Sequence, residues 1–337
     1  MKKFAIFFCG VCLLSMMLTG CTKTNRGMEN LPRKVIIGTQ SLAAPAAIVK
    51  EEGWLSEAMG VEVDVRYFDS GRDVISAMAS GAIDFGMQGS VPAAIAIASG
   101  VPCQVVYIHN VLGESEALIV RNNLGINDAQ GLIGRRIAVT FATTTHFTLM
   151  KYLEVNNIDP SSVVIIDMRA AEIVAAFIRG DIDGAFTWEP HTINMMNNGG
   201  VMITSAKDMA ELGYATLDVE IVRTEFAEKY PNLVKAYIHS MDRAVALYRS
   251  DSGLAGEIIA NNLGLSAEES LQIVGGNTWL TVEEQKHEEW FGSIALTNAL
   301  YSTAIFLYEQ GSISQRPSID LFQKAVTGMY LDSYTGN

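Results

Sequence analysis

A chain of 337 residues, 49% of them hydrophobic and with 37 acidic against 24 basic side chains, has a formal charge of −13 at neutral pH. That balance excludes nucleic acid and anionic lipid surfaces as natural partners, and an anionic ligand has to be held by local groups acting against the overall field. The five histidines have neither paired helical spacing nor cysteine companions, and no Gly-x-Ser-x-Gly elbow or Gly-Lys-Ser/Thr phosphate loop occurs. Hence no metal, cofactor or catalytic activity is expected.

The chain opens with Met1-Lys2-Lys3, an apolar run over residues 4–18 and then Leu18-Thr19-Gly20-Cys21. A basic start, a greasy segment and small residues before a cysteine are the marks of a lipoprotein signal, so residues 1–20 are read as a signal peptide and Cys21 as the lipid-bearing N-terminus of the mature protein. The apolar run is shorter than the roughly 20 residues needed to span a bilayer. Residues 21–32 are polar and read as a tether. A lipid-anchored protein on the outer face of a cell membrane follows, on the periplasmic side where the host has two membranes. Cys9 and Cys12 leave with the signal, so Cys103 stands alone and no internal disulfide forms.

About 300 residues remain, enough for two lobes of about 150. Strand periodicity at 35–37 and 61–68, a helix over 73–80 and a strand at 83–87 give a βαβ rhythm. It returns with a strand at 137–141, a helix over 146–155, a strand at 163–166, a helix over 172–179 and a strand at 182–186. The segment 73–84 (DVISAMASGAID) is echoed by 172–183 (EIVAAFIRGDID), which suggests two lobes of like construction. The expected fold class is α/β, with each lobe a doubly wound, mostly parallel sheet flanked by helices. Extended runs at 116–120 and 217–222 are expected to carry the chain between lobes as a hinge. The division is 33–118 with 220–337 for lobe one and 119–219 for lobe two. From Thr224 the pattern turns helical: Pro231 opens a long amphipathic segment to Tyr248, and further helices follow Ser252, Ser266, Thr281 and Ser293, packing back on lobe one.

Ser90, in Gly89-Ser90-Val91-Pro92, sits between a strand and an alanine-rich helix, and Thr143-Thr144-Thr145-His146 does the same at the next such junction. Free backbone N–H groups and the positive end of a helix dipole make such turns anion sites, and hydroxyls add donors; helix capping is the competing use of the same residues. Glu116 and Asp218 interrupt apolar strands. Either they hold a ligand ammonium, with the face of Trp188 adding a cation–π contribution, or they pair with Arg121, Arg223 or nearby backbone N–H groups. Gln40 and Glu189 are weaker candidates by the same logic.

With these residues in view, the chain resembles the periplasmic taurine-binding protein family, within the larger group that serves sulfonate, nitrate and thiamine-precursor transporters. Matching stretches include Phe68-Asp69-Ser70-Gly71, Gly89-Ser90 with Pro92, Ser115-Glu116-Ala117-Leu118, Thr144-Thr145-His146, Thr216-Leu217-Asp218-Val219 and Gly276-Asn277-Thr278. The resemblance implies the two-lobed periplasmic-binding-protein (type II) fold and a protein that captures taurine or a related aminosulfonate and feeds an ABC transporter permease; a monomer is the default expectation. The resemblance also implies that Ser90 and the Thr144, Thr145 turn hold the sulfonate, that Glu116 and Asp218 hold the ammonium, and that Gln40 and Trp188 line the cleft; His146, at the helix start beside the threonines, is expected to be a structural or ligand donor. Three positions depart from the family pattern: Val91 and Thr143 stand where it has serine, and Glu189 where it has alanine.

Overall fold

The structure is a computed structural model that describes residues 31–40 and 44–332. The expected signal segment and the lipidation site Cys21 lie outside these residues. Among the described residues no helix is long and apolar enough to cross a membrane.

Among the described residues, ten strands form two five-stranded sheets. The first holds β1 (Lys34–Thr39), β2 (Glu62–Tyr67), β3 (Phe85–Gly89), β4 (Cys103–Val111) and the late strand β10 (Leu217–Arg223), in the order β2-β1-β3-β10-β4. The second holds β5 (Glu116–Arg121), β6 (Arg136–Val139), β7 (Val164–Asp167), β8 (Gly184–Trp188) and β9 (Gly200–Ser205), in the order β7-β6-β8-β5-β9. Both follow one plan. Three strands pair in parallel, and a strand that has just arrived from the other sheet inserts antiparallel to both of its neighbours, β10 in the first case and β5 in the second. The echo in the sequence is thus an echo in topology.

The runs expected to cross between lobes are β5 and β10 themselves, and each lies wholly inside one sheet. The chain passes between sheets at 112–115 and 212–216. The reason is burial: every residue of Leu217–Val222 and Glu116–Val120 is covered, as a strand enclosed on both faces must be and a solvated connector cannot be. Period-two alternation then sorts the side chains. Leu118 and Val120 join the cluster under the helix Thr144–Val155, whereas Ala117 and Ile119 join the one under Ala170–Arg179.

Helices connect the parallel strands: Gly71–Ala79 and Ser90–Ala98 in the first lobe, Thr144–Val155 and Ala170–Arg179 in the second. The late helices return to the first lobe as their amphipathic pattern requires. Pro231–Ser250, with proline in its first turn, packs on Pro45–Glu51 and Trp54–Met59, and Ala295–Glu309 packs on Ser90–Ala98.

Candidate functional site

The turns at the carboxyl ends of β3 and β6 face each other. β3 ends at Gly89 and leads into Ser90–Ala98; β6 leads through a Thr143 cap into Thr144–Val155. The approach is so close that a β-carbon at Gly89 would lie 2.7 Å from Cγ2 of Thr144. Only glycine lets the first lobe's turn meet the second lobe's helix start here. Around this contact lies a cleft of about 520 Å³ including its mouth, to which Gln40, Glu116, Thr144, Trp188, Glu189 and Asp218 all contribute.

Three of these are carboxylates, and all are covered: Glu116 is 4% exposed, Asp218 5% and Glu189 8%. Glu116 Oε1 accepts a 2.5 Å hydrogen bond from the Thr144 hydroxyl, while its Oε2 is buried without a partner. Asp218 Oδ2 accepts from Asn110 Nδ2 at 2.8 Å. Glu189 Oε2 and Asn110 Oδ1 are buried and unpartnered. No Lys, Arg or His is among the described residues lining the cleft. Burial pushes Glu116 up to about 8, the Thr144 hydrogen bond opposing and the Asp218 charge reinforcing the shift. Burial also pushes Glu189 up to about 8, with Glu114 adding to it, and raises Asp218 against the pull of Asn110 and His109. A cleft of this kind lacks a cation.

Arginine does not fill that need. Arg121 donates to the carbonyls of Ile182 and Phe177, and Arg223 pairs with Asp84 at 2.8 Å and Glu225 at 2.9 Å. The alternative pairing of the acids with Arg121 or Arg223 is therefore not what the fold makes.

Of the eight expected ligand contacts, Gln40, Glu116, Thr144, Trp188 and Asp218 line the cleft; Ser90, Thr145 and His146 do not. Each of the three is engaged elsewhere. Ser90 Oγ accepts from the Leu217 backbone N–H at 3.2 Å, tying the helix start to β10. The Thr145 hydroxyl is 2.8 Å from that of Thr143, which caps the helix by accepting from the His146 N–H. The His146 ring stacks on Phe141 at 4.4 Å, and burial lowers its pKa. Three polar residues join the cleft that were not singled out as ligand contacts, Asn110, Ser115 and Asn277. Asn277 Oδ1 accepts from the Ser115 hydroxyl and the Gly113 N–H, fixing the 112–115 connector against the late helices. Asn110 carried little signal, since its strand holds Gln104 and His109 as well.

The lobes touch beyond the cleft as well. Arg169 of the second lobe reaches Asp69 at 3.6 Å and Asp73 at 3.7 Å, and Arg72 of the first reaches Asp167 at 3.5 Å. Phe147 packs edge-on against Phe306 at 5.2 Å, with Lys151 over the same ring.

Two sheets of one plan, two chain crossings and a polar cleft between facing turns define a two-lobed solute-binding protein. A model of the NMT1-like family matches residues 31–261. The taurine-binding periplasmic protein of Escherichia coli K12 is 37% identical over 285 residues, 83% of this chain and 87% of that protein. The chain belongs to the NMT1-like family and to the family of periplasmic taurine-binding proteins. Among solved structures, the alkanesulfonate-binding protein of Xanthomonas axonopodis pv. citri, in complex with MOPS, superposes with a TM-score of 0.73 at 18% identity, covering 88% of this chain and 98% of that one. A desulfurization enzyme shares the fold at a TM-score of 0.65 and 16% identity, over 89% of this chain and 98% of its own.

Proposed function

We propose that this protein is an extracytoplasmic lipoprotein, anchored through Cys21, that captures taurine (2-aminoethanesulfonate) or a close aminosulfonate and presents it to an ABC importer. The observation that carries the reading is the pairing of buried carboxylates, without any basic side chain, with two facing helix starts. The acids suit an ammonium. The backbone N–H groups opening Ser90–Ala98 and Thr144–Val155 suit the sulfonate, as donors that carry no full charge. Thr144 stands between the two ends, its hydroxyl on Glu116 and its backbone at the helix start.

Capture works by hinge closure at the connectors 112–115 and 212–216. Asp218, Asn110 and Gln40 come from the first lobe, and Glu116, Thr144 and Trp188 from the second. A ligand touching both sets binds the closed form better than the open one, and that difference alone shifts the equilibrium. Binding without catalysis also fits the one cysteine among the described residues: Cys103 is buried, with its thiol pushed up to about 12, so it supplies no thiolate nucleophile.

Calorimetric titration of the full chain in detergent with taurine, ethanesulfonate, nitrate and 2-aminoethylphosphonate tests the reading. Taurine is expected to bind most tightly, and ethanesulfonate far more weakly because it leaves the acids unpaired. Replacing either acid (Glu116→Ala, Asp218→Ala) is expected to cost about 2 kcal/mol of taurine affinity, roughly 30-fold. Losses below about 1 kcal/mol for both would remove the ammonium site. Equal binding of ethanesulfonate and taurine would make this an aliphatic-sulfonate carrier instead.

A further inference from the structure

One carboxylate of the cleft is surplus to a single ammonium. Glu116 and Asp218 each keep a protein donor, Thr144 and Asn110 respectively. Glu189 lines the same cleft at 8% exposure, and its Oε2 is buried with no hydrogen-bond partner. Its place is fixed by the sheet. The Glu189 N–H donates to the Ser115 carbonyl at 3.0 Å, one step beyond the β5–β8 pair Glu116–Trp188, so both glutamates and the indole arise at one end of the second sheet.

The unfilled acceptors are therefore three: Glu116 Oε2, Glu189 Oε2 and Asn110 Oδ1. They share the cleft with the Trp188 ring, and no lysine or arginine is among its described lining. An ammonium is a compact point charge with three donors, whereas a guanidinium is a flat fork with more donors that meets carboxylates two bonds at a time and stacks on aromatic faces. Several separate acceptors beside an indole face fit the fork better than the point.

We propose that Glu189 is a specificity-determining residue, one that selects a guanidino group over a simple amine on the same small sulfonate. The inference rests on the aminosulfonate reading of the cleft and names the cationic end of the ligand class. Buried carboxylates left without donors cost free energy, and a ligand supplying donors to all of them recovers it, which is how a polar site discriminates between close analogues.

The experiment compares 2-guanidinoethanesulfonate with 2-aminoethanesulfonate by calorimetry on the full chain in detergent, as wild type and as Glu189→Ala and Glu189→Gln. The wild type is expected to bind the guanidino compound at least about tenfold more tightly. Glu189→Ala is expected to weaken that compound by about tenfold and the amine by less than about threefold. The isosteric Glu189→Gln, which keeps the shape and loses the charge, makes the same comparison if the alanine variant folds poorly. A wild-type preference for the amine, or equal losses for both compounds in the variants, would overturn the proposal while leaving the aminosulfonate reading intact. Failure of both compounds to bind would overturn that reading and the proposal with it.

Discussion

Asp218 and Glu220 stand two residues apart on β10, both buried, yet they belong to different regions of the molecule. Glu220, fully covered in the first lobe, takes a 2.5 Å hydrogen bond from the Tyr237 hydroxyl on the same oxygen that lies 2.9 Å from His109 Nε2. Its two donors come from β4 and the helix Pro231–Ser250, elements of its own lobe, while its Oε1 and His109 Nδ1 are buried without a partner. In the cleft, the acids have one donor each or none, and no described residue supplies the missing partners. Burial of an acid is common to both regions. What separates the structural network from the cleft is how many donors the chain supplies to each acid, two for Glu220 and one or none in the cleft.

Titration tests this difference with the largest expected effect. Glu116 and Glu189 are held up to about 8 from an ordinary 4.5, so between about pH 5 and 8 the folded chain keeps two protons that the unfolded chain has released. The stability they contribute is full below that interval and is lost as pH rises through it. Each pH unit costs up to about 1.4 kcal/mol per group, so the total is on the order of several kcal/mol. Denaturant unfolding of the wild type and of the double variant Glu116→Gln, Glu189→Gln across this range should show the wild type losing stability relative to the variant. His146 and His191, whose pKa values burial lowers, act in the opposite direction but equally in both proteins. Parallel curves would mean that the cleft acids are already ionised and hydrated.

The Glu220 network should respond in the contrary way. Glu220→Ala leaves the Tyr237 hydroxyl and His109 without their acceptor, and about 3 kcal/mol of stability is expected to go with it. Asp218→Ala, two residues away, strands only Asn110 Nδ2 and should cost about 1 kcal/mol of stability while weakening taurine binding. Equal destabilisation by the two variants would erase the distinction between the regions. The smallest effect belongs to the rim. Arg169→Ala removes exposed ion pairs to Asp69 and Asp73, each worth about 0.5 kcal/mol or less, so taurine affinity should fall by about twofold at low salt and not at all at high salt.

Much of the fold was legible because its signals are local. The βαβ rhythm, the echo at 172–183 and the late helices follow from periodicity, glycine stops and Pro231. Sheet membership was not legible for β5 and β10, because alternation marks a strand without naming the neighbours it pairs with. In the site, Glu116 and Asp218 stood out as charges in apolar strands. Ser90, Thr145 and His146 looked equally suited to a ligand, and which hydroxyls the protein keeps for itself depends on contacts such as Ser90 with Leu217, 127 positions apart. Asn277 was hidden for the same reason: its partner Ser115 is 162 positions away, and in sequence an asparagine after a helix reads as a turn.

Phe147 grows from the second lobe, yet it is a member of the first lobe's apolar cluster, beside Phe306 and Leu300, and only 6% exposed. Drawing the halves apart wets this ring and its neighbour, at about 25 cal/mol for every Å² newly exposed. Under the proposed hinge closure, an unloaded molecule has a built-in bias toward staying shut, and release of the ligand must overcome a greasy seam as well as the grip of the acids.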